Sequence, residues 1–364
     1  MRSWLINVCD VGRPVARPRI LMLSARYVFG GAAVVIENLA KGLTSLGYEI
    51  CIGAFRFKDS PSVKGVPTIK LGVRDALSRT RVLDSFDLIH DHQPAAGFVA
   101  SLTEVPFVYH YYGAPAQAMS LEKVTNLALN KLQTHNYDRI ISISEAGRDE
   151  LRRLFGVKNS TVIYLGVDTQ RYRDRKSAKF RNGDPQLLFV GSLYEHKHVE
   201  TLIDATRRLV VVYPKIHLSV VGAGPKLNYL RKRSIELGIG QHITFWGRVS
   251  NVDLPEHYAA CDAYVSASDW ELFNLPLLEA MASRKPVVAS SIPVHLELAL
   301  KSRAIRIFPT GDAAELSAAL DQVLQNPDPL TANGLNYALQ SDWSVVAKRI
   351  ADVYDEVLGE QRKQ

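Results

Sequence analysis

From residue 19 to residue 290 the chain repeats one unit: a short apolar run, a turn, then a stretch with an apolar stripe. RILMLSA (19–25) leads through Gly30-Gly31 into AAVVIENLAKGLTSLG (32–47), and YEICIGAF (48–55) follows. FDLIHDH (86–92), PFVYHYY (106–112) and DRIISIS (138–144) are further apolar runs, with a small-residue helix predicted after the first and a long helix over 120–136. Strand, helix, strand in steady alternation leaves one arrangement, a parallel sheet wrapped by helices. TQRYRDRKSAKFRNGDP (169–185) interrupts it with a polar, basic tract, which reads as an interdomain linker. The unit then restarts with QLLFVGS (186–192), IHLSVVG (216–222), HITFWG (242–247), CDAYVSAS (261–268) and KPVVAS (285–290). Two successive α/β domains are expected, over 19–168 and 184–340. The amphipathic helix 343–358 needs an apolar surface to cover, and 364 residues suit two cores better than one.

Ligands of open parallel sheets sit beyond the carboxyl ends of the strands. Two such sheets on one linker can face each other across a cleft, so the residues after each strand matter most. Gly30-Gly31 is either a tight turn or a loop that lets an anion approach a helix start. Lys197 in LYEHKHVETLIDA is either a surface lysine or a point charge for a phosphate. VVGAGPKL (220–227) holds part of a dinucleotide fingerprint but lacks the full GxGxxG. In HDH (90–92), His90 and His92 share one strand face, and two histidines without further ligands do not make a metal site.

SDWELFNLPLLEAMASRKPVV (268–288) carries two glutamates, Glu271 and Glu279, with seven residues between them. Pro276 suits a first helical position, and Asn274 is a plausible cap. A helix over 276–284 follows, and its first free N–H groups form an anion seat. Glu279, on the first or second turn, either complements the helix dipole or accepts hydrogen bonds from a diol such as a ribose. Glu271 can reach another part of the same ligand. A phosphate between two hydroxylated rings describes a nucleotide-sugar.

Composition excludes other classes. No run of about 18 apolar residues is present to span a membrane. Cys9, Cys51 and Cys261 are too few and too far apart for a disulfide framework, and a cytoplasmic location, possible at the inner face of a membrane, is expected. The net charge of +7 is uneven. Residues 1–180 hold 25 basic against 16 acidic side chains, the remainder 19 against 21. A basic first half is either simply solvated or faces an anionic partner: nucleic acid, an anionic membrane or a phosphorylated substrate. No basic stripe interleaved with aromatics supports nucleic acid.

Taken in order, GSLYEHKHVETLIDA, VVGAGPKL, ITFWGRV and CDAYVSASDWELFNLPLLEAMASRKPVVAS resemble the second domain of the retaining family-four glycosyltransferases, which carries an E-x7-E motif. ARYVFGGAAVVIENLAKGL, FDLIHDHQPAAG and DRIISISEAGRDEL are similar to the first domain. The resemblance implies the GT-B fold, two Rossmann-like domains facing across a cleft, with the closing helix packed back on the first. It implies transfer from a nucleoside-diphosphate sugar, with no cofactor and no metal, to an acceptor hydroxyl on a sugar, glycan or glycolipid. Glu271 would contact the transferred sugar and Glu279 the ribose. Lys197 would meet the diphosphate, with amides at Phe273 and Asn274 assisting and Leu275 in the same seat. Gly30 and Gly31 would let the first domain reach the phosphates.

Three positions depart from the family pattern. Ser192 stands where many members have an arginine that clamps the diphosphate. Tyr112 stands where a histidine usually precedes the glycine, and His110, two residues earlier on the same strand face, would substitute. Leu165-Gly166 replaces an Asn-Gly. These departures motivate one alternative, a non-catalytic nucleotide-sugar-binding protein or the partner subunit of an active transferase. The basic first half favours an anionic or lipid-linked acceptor, met by peripheral contact with an anionic membrane.

Overall fold

The computed structural model describes residues 17–28, 30–72, 82–93, 103–113, 137–175 and 179–361. The helix expected over 120–136 and the small-residue helix after residue 93 fall outside these.

The first sheet contains β1 (Arg19–Tyr27), β2 (Glu49–Phe57), β3 (Thr68–Lys70), β4 (Leu88–Asp91), β5 (Phe107–Tyr111), β6 (Arg139–Ser142) and β7 (Thr161–Val162). Their order is β3-β2-β1-β4-β5-β6-β7, and every pairing is parallel. The second sheet contains β8 (Gln186–Val190), β9 (His217–Val221), β10 (Ile243–Gly247), β11 (Ala263–Ser266), β12 (Val287–Ser290) and β13 (Ile305–Phe308), in the order β10-β9-β8-β11-β12-β13. Its pairings are parallel too. This is the two-sheet, GT-B arrangement. Each sheet reverses its strand order once, between β1 and β4 and between β8 and β11. Those reversals open the crevices in which open sheets bind ligands.

The strands read as continuous apolar runs because both faces are covered. Leu88 and Ile89 of β4, and Val287 and Val288 of β12, are fully buried. The helix Trp343–Gln361 packs on the first domain against the helix Gly31–Ser45. A Cβ on Gly42 would stand 2.5 Å from that of Ala347, so glycine sets the closeness of this crossing. The chain therefore crosses between the halves twice, and the crossings are stitched together: Val167 N–H donates to Ser341, and Trp343 N–H donates to Val167.

The tract after residue 168 is not a loose connector. Thr169–Tyr172 is a short helix, and Tyr172 is buried in the second-domain core. Phe180 stacks on His257 at 3.9 Å, and Arg181 pairs with Asp184 and Asp262. The polar composition of the tract hid these anchors.

Among the contacts between the halves, two stand out. Glu297, on the second-domain helix Pro293–Ser302, accepts from the N–H of Glu145 at 2.8 Å and of Ala146 at 3.2 Å, and from the hydroxyl of Tyr164. A carboxylate thus caps the first-domain helix Glu145–Phe155, where the helix dipole favours it. The second contact is Leu272. It sits on the second-domain loop after β11, yet its side chain is buried in the first-domain core. Gly113 makes room for it. A Cβ there would stand 2.8 Å from Leu272 Cδ1, and φ is +113°. Both sterics and backbone therefore ask for glycine.

Candidate active site

A cleft of about 520 Å³ lies between the two sheets. Gly30, Gly31 and Tyr112 line it from the first domain; Ser192, Lys197, Glu271, Phe273, Asn274, Leu275 and Glu279 line it from the second. Of the residues singled out in the sequence, these ten meet in one cavity. A larger groove of about 800 Å³ lies beside Arg139, Arg148, Arg152 and Lys158, at the starts of β6 and β7. Three of its arginines are already paired, with Glu360, Glu145 and Asp149. It also lies away from the carboxyl ends of the strands, so the interdomain cleft is the candidate site.

His110 is the exception among the expected residues. Its side chain is fully buried beneath Tyr112, stacked on that ring at 4.8 Å, and it does not line the cleft. An alternate position on one strand face gives the right side of the sheet but not exposure. Tyr112 covers it, so the expectation that His110 reaches a ligand in the cleft is corrected: of the two rings, Tyr112 lines the cleft.

The second-domain wall is built by two loops tied together. Lys197 pairs with Glu271, and both side chains are mostly buried. Ser268 Oγ donates to Glu271 at 3.0 Å. His198 holds Asp269 at 2.7 Å through Nε2, and Asp269 N–H donates to the carbonyl of His196. The lysine that could meet an anion therefore rests on the carboxylate that could meet a sugar. An anion entering here would compete with Glu271 for the ammonium group.

Behind Glu271 the helix begins at Leu275 and ends at Ala282, one or two residues from expectation. Asn274 is its N-cap by position, but its side chain does not cap. It donates instead to Ser266 Oγ at 3.1 Å and meets His295 Nε2 at 3.2 Å. Burial holds His295 down to about 4, with Glu271 and Lys197 acting in opposite directions. Among the described residues, no acceptor meets the N–H groups of Phe273, Asn274 and Leu275, and all three border the cleft. Free amides at a positive helix end make an anion seat.

Glu279 lies on the second turn. Tyr172 donates to one carboxylate oxygen at 2.8 Å, and Tyr258 to the other at 2.7 Å. Burial pushes its carboxyl above the usual range, while the two phenols and nearby Arg171 pull it back. Each oxygen keeps a lone pair for a further donor. Neither tyrosine stood out in the sequence: one lies in the basic tract, the other in an apolar helix. Arg171 and Arg248 also line the cleft and were missed. They supply cations that Ser192 does not.

The glycines divide by cause. At Gly31 an added Cβ would meet nothing within 4 Å, so packing does not require glycine there. At Gly222, with φ of +141°, it would stand 1.7 Å from the carbonyl oxygen of Gly191. The glycine turn in VVGAGPKL therefore serves the contact of two loops of the second domain.

Among the described residues, no helix is long and apolar enough to cross a membrane. Residues 29–171 match the model of Glycosyltransferase Family 4, and residues 170–340 match that of Glycosyl transferases group 1. The chain is 26% identical to the phosphatidyl-myo-inositol mannosyltransferase of Mycolicibacterium smegmatis over 91% of each protein. It is 29% identical to the glycogen synthase of Mycobacterium tuberculosis over 80% of this chain and 72% of that one. Anabaena HepE, crystallised with UDP and glucose, superposes with a TM-score of 0.79 at 22% identity, over 93% of this chain and 100% of that one. With two facing parallel sheets and family matches running from residue 29 to residue 340, the chain belongs to the family-4 glycosyltransferases of GT-B fold.

Proposed function

We propose that this protein moves a sugar, with retention of anomeric configuration, from a nucleoside-diphosphate sugar to an acceptor hydroxyl. One observation carries the reading: Lys197, Glu271, the free amides of 273–275 and Glu279 converge on one interdomain cleft. The donor lies on the second domain. Glu279, oriented by Tyr172 and Tyr258, accepts from the ribose diol. Lys197, Arg248 and the helix amides take the diphosphate, and Glu271, once released by the lysine, accepts from hydroxyls of the transferred sugar. Charge that develops on the leaving diphosphate meets preorganised cations and N–H groups, so this reading needs no metal at the phosphates. The acceptor enters from the side of Gly30, Gly31 and Tyr112. Uridine is the first base to try, because the HepE structures hold UDP or UDP-glucose. A lipid-linked acceptor fits the mannosyltransferase likeness and the basic first half.

Thermal unfolding against UDP, GDP and their sugars tests the donor site. Ligand at 100 times its dissociation constant adds about 2.7 kcal/mol of stability. One nucleotide should raise Tm, with a smaller rise in Glu279→Ala. No rise with any nucleotide at millimolar concentration overturns the reading.

A further inference from the structure

Beneath Tyr112 lies a cluster that the proposed reaction does not use. His90 is in β4 and His92 follows it by two residues, so both rings take one face of the sheet. Asp91 takes the other face, where Tyr137 and the N–H of Gln93 bond to it. The neighbouring strand β5 is in register with His90 opposite Val108, which brings His110 opposite His92. The His90 ring centroid is 4.2 Å from that of His92 and 5.2 Å from that of His110. All three side chains are 1% exposed or less.

Their nitrogens are not satisfied. His90 Nδ1 meets Tyr354 OH at 2.6 Å, and His92 Nδ1 meets Tyr112 OH at 2.7 Å. Among the described residues, the Nε2 atoms of both, and both ring nitrogens of His110, have no hydrogen-bond partner. Buried polar atoms are rarely left so, because each costs about 1–3 kcal/mol. An occupant of the cluster accounts for them.

We propose that His90, His92 and His110 bind one divalent transition-metal ion of zinc's class. The pattern is two histidines at alternate positions of one strand and a third from its neighbour. Three imidazoles leave a fourth position open, as zinc sites often do. The two phenols serve as outer partners. When each Nδ1–H donates to its phenol oxygen, the Nε2 lone pair is turned inward, as in metal-bound histidines. One nitrogen from each ring lies within 4.8 Å of the others. Zinc at about 2.1 Å in tetrahedral geometry asks for about 3.4 Å between ligand atoms, which small ring rotations supply. A buried water at about 2.8 Å from each nitrogen would accept the wider spacing, and it is the rival occupant.

Metal content separates the two. The whole chain, without a polyhistidine tag, is expressed in medium supplemented with zinc or with cobalt and analysed by plasma mass spectrometry. About one ion per chain is expected, and the cobalt form should show the visible absorption of a tetrahedral site. His92→Gln and His110→Gln should lower the bound metal at least tenfold. Circular dichroism and the nucleotide-induced rise in Tm check that these variants are folded. Less than about a tenth of an ion per chain in wild type, with no cobalt absorption, overturns the proposal in favour of water. A full complement of metal in folded His92→Gln and His110→Gln overturns it as well. Neither readout depends on transfer activity, so the result stands apart from the donor reading.

Discussion

The two halves share a parallel sheet with one reversal of strand order, but they furnish their strand ends differently. In the second domain the cleft wall is ionic. Lys197, Glu271, Glu279 and Arg248 border it, and Lys197 and both glutamates already hold partners. In the first domain the wall is glycine and aliphatic with one aromatic, Tyr112, and its imidazoles are buried one layer below. A site that holds a charged diphosphate needs fixed cations and N–H donors. A site for a neutral hydroxyl needs shape and approach. One fold thus places charge on one side of the cleft and a small, apolar contour on the other.

Glu271→Ala tests the ionic wall most directly. Transfer should fall by roughly 10²–10³-fold, the range for losing one preorganised polar group at a reacting centre. Nucleotide affinity, read by calorimetry, should hold or improve, because Lys197 is freed. Transfer that survives would remove the ionic wall from the chemistry.

Leu272→Ala probes the junction rather than either wall. It deletes a buried side chain that the second domain inserts into the first, at a cost of about 2–4 kcal/mol. Chemical denaturation should show that loss, and small-angle scattering should show a larger radius without nucleotide. An unchanged radius and midpoint would mean that the other contacts, Glu297 at the helix Glu145–Phe155 among them, hold the halves together without Leu272.

A smaller effect separates acid sensitivity. His295 is held down to about 4 by burial, against an ordinary value of 6.5. Between these values the unfolded chain binds the proton and the folded chain does not. Its contribution is therefore complete above about pH 6.5 and is lost as pH falls toward 4. His295→Gln should flatten the fall in Tm over that window, seen in scans from pH 7 to pH 4. An unaltered slope would place the acid response on other groups, such as His217 and His257, which burial also holds down to about 4.

Much of the fold was legible because its cause is local. Apolar runs of strand length, helix stripes and glycine turns repeat along the chain, and each reports its own burial. The cleft residues were legible for a related reason: they follow strands, and strand ends converge in parallel sheets. The failures share one cause. His110 is on the expected face, yet Tyr112 covers it, and the sequence does not show which of two stacked rings is outermost. Tyr172 looked like linker because its neighbours are polar. Its partner Glu279 is 107 residues away.

The sequence by itself determined the elements, their parallel arrangement and which strand ends carry ionisable groups, since these depend on periodicity over a few residues. Only the tertiary structure decided the pairings: Lys197 with Glu271, Tyr172 and Tyr258 with Glu279, Leu272 in the opposite domain, and His110 against His90 and His92. Those contacts join distant parts of the chain, and their geometry is set by how helices and sheets pack, which no local pattern encodes.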